Sequence, residues 1–137
     1  MSLREGILKI DVLIAEDEPG ILASLDFILK RAGWKIHSVT DGQAVLDAVK
    51  TIKPKVLVLD VMLPIKSGFE VLKQLRLEQS SKNLPILILT AKGQEKDKEL
   101  AKELGANAFI TKPYANVDVI EAVRMLMGIN KTDKRQG

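Results

Sequence analysis

Four apolar residues, Val56-Leu57-Val58-Leu59, run directly into a carboxylate, Asp60, and the irregular stretch Val61-Met62-Leu63-Pro64-Ile65-Lys66-Ser67-Gly68 follows. Three other apolar runs end in the same manner. The first, through Ala15, meets Glu16-Asp17; another, through Leu89, meets Thr90; the last, through Thr111, meets Lys112. Brought together, three carboxylates repel one another unless a cation sits between them, and hard oxygen donors suit Mg²⁺. A hydroxyl and an ammonium facing that cation complete a site for a phosphoryl group: metal and Lys neutralise its oxygens, and the Thr hydrogen-bonds one of them. The carboxylate between metal and lysine is then a candidate nucleophile. Each piece alone has a plainer explanation. Asp60 can open a turn or cap a helix, Glu16-Asp17-Glu18 can simply favour a helix dipole, Thr90 can close a strand, and Lys112 can be a solvated charge. The coincidence of all of them at strand ends favours the site.

Such convergence needs a sheet whose strand ends share one edge. An unalternating apolar run fits a strand buried on both faces, and open α/β sheets bind ligands at the carboxyl edge. The chain supplies the parts in order. Lys9 to Ala15 predicts a first strand. Pro19 suits the first turn of a helix, in which Ile21, Leu22, Leu25, Ile28 and Leu29 recur at helical spacing up to Ala32-Gly33. Trp34 to Val39 predicts a short second strand. Thr40-Asp41-Gly42 predicts a turn and cap before a helix striped by Val45, Leu46, Val49 and Ile52, which ends at Lys53-Pro54. The third strand closes at Asp60, and Ser67-Gly68 leads into a helix carrying Phe69, Leu72 and Leu75. After a polar loop, Ser80 to Asn83, Pro85 to Leu89 predicts the fourth strand. A charged helix from about Gln94 to Leu104 offers Leu100, Ala101 and Leu104 as its buried face and stops at Gly105. Ala108 to Thr111 predicts a fifth strand. Val119, Ile120, Val123, Leu126 and Met127 stripe a last helix, which Gly128 should terminate. Five β-then-α units argue for a parallel sheet covered by helices on both faces, with right-handed crossovers. Periodicity does not give the strand order.

A chain of 137 residues, 46% hydrophobic and 28% charged, is most simply one globular domain with a substantial core. Without cysteine there are no disulfides, no thiol chemistry and no cysteine-ligated metal. His37 is the single histidine, which excludes a His-rich metal centre. The net charge of +3 is interspersed apart from the tail Asn130-Lys131-Thr132-Asp133-Lys134-Arg135-Gln136-Gly137, so a solvated surface is expected rather than direct nucleic-acid binding. No apolar run is long enough to span a bilayer and no signal-peptide pattern opens the chain, which favours the cytoplasm and no membrane contact. The expected organisation is a lead over residues 1–8, with Met1-Ser2-Leu3 reading as a cloning remnant, a domain over 9–129, and a polar tail or linker start over 130–137.

The motifs Ile14-Ala15-Glu16-Asp17-Glu18-Pro19, Leu59-Asp60-Val61-Met62-Leu63-Pro64 with Gly68, Leu87-Ile88-Leu89-Thr90-Ala91 and Phe109-Ile110-Thr111-Lys112-Pro113-Tyr114 stand at characteristic spacings. With them the chain resembles the receiver domain of two-component response regulators, over roughly Lys9 to Gly128. The resemblance implies a flavodoxin-like (βα)5 sandwich with strand order 2-1-3-4-5. It implies a switch rather than a turnover enzyme, although the domain would catalyse its own phosphorylation. Asp60 would accept a phosphoryl group from a phosphohistidine on a sensor histidine kinase or histidine phosphotransfer protein. Glu16, Asp17 and Asp60, with the Met62 carbonyl, would hold Mg²⁺. Thr90 and Lys112 would bind the phosphoryl group, Lys112-Pro113 would be a cis peptide, and Thr90 with Phe109 would relay the change to the face of helix four, strand five and helix five, toward an output domain or target that the sequence does not name.

Departures from the family pattern bear on detail. Glu16 stands where many relatives have Asp, and its longer side chain suits contact with the metal through water. Met62 and Lys92 occupy the variable positions two after the acceptor and two after the Thr that are thought to tune dephosphorylation. Asn107 and Ala122 stand where regulators with winged-helix outputs usually carry an acid and an Arg; that weakens their style of dimerisation and leaves a phosphorylation-dependent dimer open. Two rival readings are a receiver-like scaffold that phosphorylation does not regulate, which the intact residue set disfavours, and an aspartate-nucleophile phosphohydrolase. The latter needs a second Asp two residues after the first, where this chain has Met62.

Overall fold

Five strands pair in parallel in the order β2-β1-β3-β4-β5: β1 (Val12–Ala15), β2 (Ile36–Val39), β3 (Val56–Asp60), β4 (Ile86–Thr90) and β5 (Ala108–Thr111). Five helices alternate with them: α1 (Pro19–Arg31), α2 (Gly42–Ile52), α3 (Gly68–Leu77), α4 (Glu95–Glu103) and α5 (Asn116–Gln136). The structure is a computed structural model that describes residues 9–91 and 95–136, with side chains described as far as Ile129. The expectations for the lead over 1–8, for Lys92 and Gln94, and for the side chains of the tail lie outside the described residues.

The sheet is covered on both sides, and strand alternation divides the core in two. Leu13, Ala15, Leu57, Leu59, Ile86 and Ile88 face one way, onto Val45, Leu46 and Val49 of α2, Val71, Leu72 and Leu75 of α3, and Ala101 of α4. Val12, Ile14, Val56, Val58, Leu87 and Leu89 face the other way, onto Leu25, Ile28 and Leu29 of α1 and Val119, Val123 and Leu126 of α5. Burial on both faces is why the three central strands contain almost nothing but branched apolar residues. Only the carboxyl ends of these strands carry polar side chains.

Local chemistry sets the element ends. Asp41 caps α2 by accepting the Ala44 N–H at 2.8 Å. Ser67 and Glu70 form a reciprocal capping box at the start of α3. Lys53 closes α2 in the left-handed region, φ 53°, ahead of Pro54. Leu100, expected on the buried face of α4, is exposed; of that stripe only Ala101 is buried, and Leu104 packs at the margin of the core. The helix meets the core mainly through Ala101, so Leu100, one residue earlier and turned about 100° around the helix, falls outside that contact. Gly128 does not end α5, because its backbone is not among the positive-φ residues and the helix runs on to Gln136. In α3, Val71 is fully buried while Phe69 is only partly so.

Candidate functional site

The register brings the polar strand ends to one edge. Ala15 pairs with Leu59, Asp60 with Leu89, and Thr90 with Thr111, so Glu16, Asp60, Thr90 and Lys112 fall at neighbouring positions. The Lys112 N–H donates to the Thr90 carbonyl at 2.7 Å, and the Lys112-Pro113 peptide is cis. Asp60 is 3% exposed, Thr90 and Glu16 1% each, so these polar groups are held out of water and must satisfy one another or a ligand.

Asp60 is gripped on both oxygens. Its Oδ2 accepts Lys112 Nζ at 2.8 Å, and its Oδ1 accepts the Met62 backbone N–H at 2.9 Å. Lys112 also reaches Glu16 Oε1 at 3.4 Å, and Glu16 Oε2 accepts the Glu18 N–H at 3.2 Å. Asp17 is exposed, yet one carboxylate oxygen each from Glu16, Asp17 and Asp60 lie within 4.8 Å of one another. Burial, then the hydrogen bond to Asp60 and its charge, push the Glu16 carboxyl up to about 7, despite the opposing pull of the Glu18 amide and Lys112. Burial disfavours the Lys112 ammonium, but the hydrogen bond and charge of Asp60, with Glu16 behind it, outweigh that and raise it above its ordinary value. Burial likewise raises the Tyr114 phenol, two residues further on.

These residues fit a hard divalent cation and a phosphoryl group. A carboxyl raised first by burial and then by a neighbouring carboxylate is the electrostatic signature of an acid pair that a cation would relieve. The donors Glu16, Asp17 and Asp60 are carboxylate oxygens, the hard ligands that suit Mg²⁺. Thr90 Oγ1 is buried and without a hydrogen-bond partner among the described residues, and a phosphoryl oxygen would satisfy it. Phe109, three residues before Lys112, lies at the surface with the Lys98 ammonium 5.8 Å from its ring centroid. The Met62 side chain is 73% exposed, while its amide is a site donor that no side-chain pattern could disclose. Asn107 is also engaged, inward: its Oδ1 accepts Ile86 N at 2.8 Å and Arg76 Nη2 at 3.0 Å.

A family model described as the response regulator receiver domain matches residues 12–124. The chain belongs to the response regulator receiver domain family. Among curated relatives, it is 42% identical over 116 residues to the alkaline phosphatase synthesis transcriptional regulatory protein PhoP of Bacillus subtilis (strain 168), covering 85% of this chain and 48% of that one. It is 39% identical over 116 residues to the sensory transduction protein RegX3 of Mycobacterium tuberculosis (strain ATCC 25618 / H37Rv), covering 85% of this chain and 50% of that one. The receiver chain thus spans about half the length of these curated relatives. Among solved structures, the receiver domain of the Francisella response regulator 1452 superposes with a TM-score of 0.81 at 28% identity, covering 88% of this chain and 98% of that one. The chemotaxis response regulator CheY4 of Vibrio cholerae gives 0.80 at 26%, covering 86% and 98%. The receiver fold expected from the motifs, with strand order 2-1-3-4-5, is the one observed. Among the described residues no helix is long and apolar enough to cross a membrane.

Proposed function

We propose that this receiver domain is a phosphorylation-operated switch in which Asp60 is the phosphoacceptor. The observation that carries the reading is Asp60 itself: a 3%-exposed carboxylate that accepts from Lys112 and the Met62 amide and has an oxygen within 4.8 Å of oxygens of Glu16 and Asp17. An Asp60 oxygen attacks the phosphorus of a phosphohistidine, the P–O bond forms as the P–N bond breaks, and the electron pair leaves with the imidazole, which takes up a proton. Glu16, Asp17 and Asp60, with the Met62 carbonyl, would hold Mg²⁺; when bound, the ion supplies positive charge to the phosphoryl oxygens and to the acid cluster. Lys112 neutralises a further oxygen, and the Thr90 hydroxyl donates to another.

The phosphoryl donor is a histidine kinase or a histidine phosphotransfer protein, in keeping with the family. After transfer, Thr90 moves toward the new group and the exposed Phe109 ring turns inward, biasing the packing of α4, β5 and α5 between two states. That face signals to an output domain or partner and offers a surface for a phosphorylation-dependent dimer; direct contact with nucleic acid or membrane is not part of its role. Phosphoramidate, whose P–N bond stands in for that of phosphohistidine, tests the chemistry. With Mg²⁺ it should release ammonia in a burst of about one per chain, and the absence of a burst would contradict the reading.

A further inference from the structure

The Met62 amide is held on Asp60 by a loop that two helix starts grip. Val61 anchors the near end: its carbonyl accepts Leu63 N at 3.2 Å and Gly68 N at 2.9 Å, while its own N–H reaches Leu89 O at 3.2 Å. At the far end the Pro64 carbonyl accepts Lys66 N at 2.8 Å across Ile65, which has φ 70°. An i to i+2 bond across a residue with that φ is the γ-turn form that is rare and strained, and a β-branched side chain there is an outlier. Something must hold it, and α2 does. Gly42 N donates to the same Pro64 carbonyl at 3.2 Å, and a methyl group at Gly42 would run into the Lys66 carbonyl oxygen, lying 2.6 Å from Lys66 Cβ and 2.8 Å from its carbonyl carbon. Relief there has to come from movement of the loop backbone, which costs more than moving the end of a flexible side chain.

We propose that Gly42, remote in sequence from every site residue, is a positioning residue for phosphorylation: by letting the Lys66 backbone lie against α2 and by bonding the Pro64 carbonyl, it keeps the Met62 peptide aimed at Asp60. The inference rests on the phosphoacceptor reading of Asp60. Gly42→Ala pushes the loop outward and draws the Met62 N–H off the carboxylate. Misplacing a group near reacting atoms by about 1 Å can cost up to about a hundredfold in rate.

The test reads the Met62 amide by proton–nitrogen NMR in metal-free protein, and separately the rate of adduct formation from phosphoramidate with Mg²⁺. In Gly42→Ala the Met62 resonance should move upfield as its hydrogen bond lengthens, and the rate should fall at least about tenfold. Asp41→Ala removes only the cap on Ala44 N and loosens the same turn without a clash. It should shift both readouts in the same direction by less, and it decides the matter if Gly42→Ala does not fold. Ile28→Val, a mild core change under α1, should leave both at parental values. Parental Met62 shifts and rates in both the Asp41 and Gly42 variants would overturn the proposal, as would a slowed reaction with an unmoved Met62 amide. A parent that never forms an adduct would instead contradict the reading of Asp60, while the NMR arm still reports on the loop.

Discussion

At the scale of single residues, the site is a set of groups whose individual discomfort is the clue to what they bind. Thr90 Oγ1 is the plainest case, a buried hydroxyl with no partner among the described residues. An unsatisfied buried polar group costs about 1–3 kcal/mol, so Thr90→Val should stabilise the metal-free protein by about 1 kcal/mol in urea titration while slowing phosphoryl adduct formation. A loss of stability would mean that the hydroxyl is satisfied within the fold. Glu16 provides the second case. Its folded-state value of about 7 lies above the ordinary 4.5, so its protonated form is favoured on folding. Metal-free protein should therefore gain stability as pH falls through about 7 and keep gaining until the unfolded carboxyl also protonates, near 4.5. Mg²⁺ should raise the unfolding midpoint more at the alkaline end of that window than at the acid end; equal stability across the window without metal would contradict the assignment. The side-chain members of the site were legible because each ends an apolar run. The Met62 amide was not, since every non-proline residue has one and only the loop's path decides where it points.

At the scale of elements, the third strand and its loop carry most of the construction, and helix α4 is thinly buried, with Ala101 as its buried residue. Four of the five strands end where the apolar runs predict; β4 extends one residue further, to include Thr90. The first and second strands start later than their apolar character suggests, since pairing partners and not residue type decide where a ladder begins. The misplacement of Leu100 has a comparable origin: a helical stripe names a face, but how deep each member sits depends on the neighbour it meets. Arg76 compensates for the thin burial of α4. Its Nε donates to Gly105 O at 3.0 Å, Nη1 to Ser81 O at 3.1 Å and Nη2 to Asn107 Oδ1 at 3.0 Å, tying α3 to the turn that follows α4. Arg76→Ala should cost about 2 kcal/mol by denaturant unfolding, since hydrogen bonds to a charged group are worth about 1.5–3 kcal/mol. The same variant should speed amide exchange in α4 and the loop to β5 before it affects β3; uniform acceleration would show that the tie is not local.

At the scale of the whole molecule, a two-faced core holds one reactive edge, and the thinly buried α4 lies to one side of it. Amides of β1, β3 and β4, whose side chains are buried throughout, should exchange only on global unfolding, and those of α4 well before that. Protection of α4 equal to the core would remove the soft element on which the switch depends. Layering was legible in the sequence because both-face burial leaves continuous apolar runs, whereas the strand order came only from resemblance. Gly128 misled because glycine stops a helix where the backbone turns left-handed, and here it does not. The central claim is that Asp60 takes the phosphoryl group. Intact-mass measurement after incubation with a small phosphodonor and Mg²⁺, on the parent and on Asp60→Asn, tests it most directly. The parent should carry one base-labile phosphoryl adduct and the variant none; an adduct that persists in Asp60→Asn, or none on the parent, would mean that Asp60 is not the phosphoacceptor.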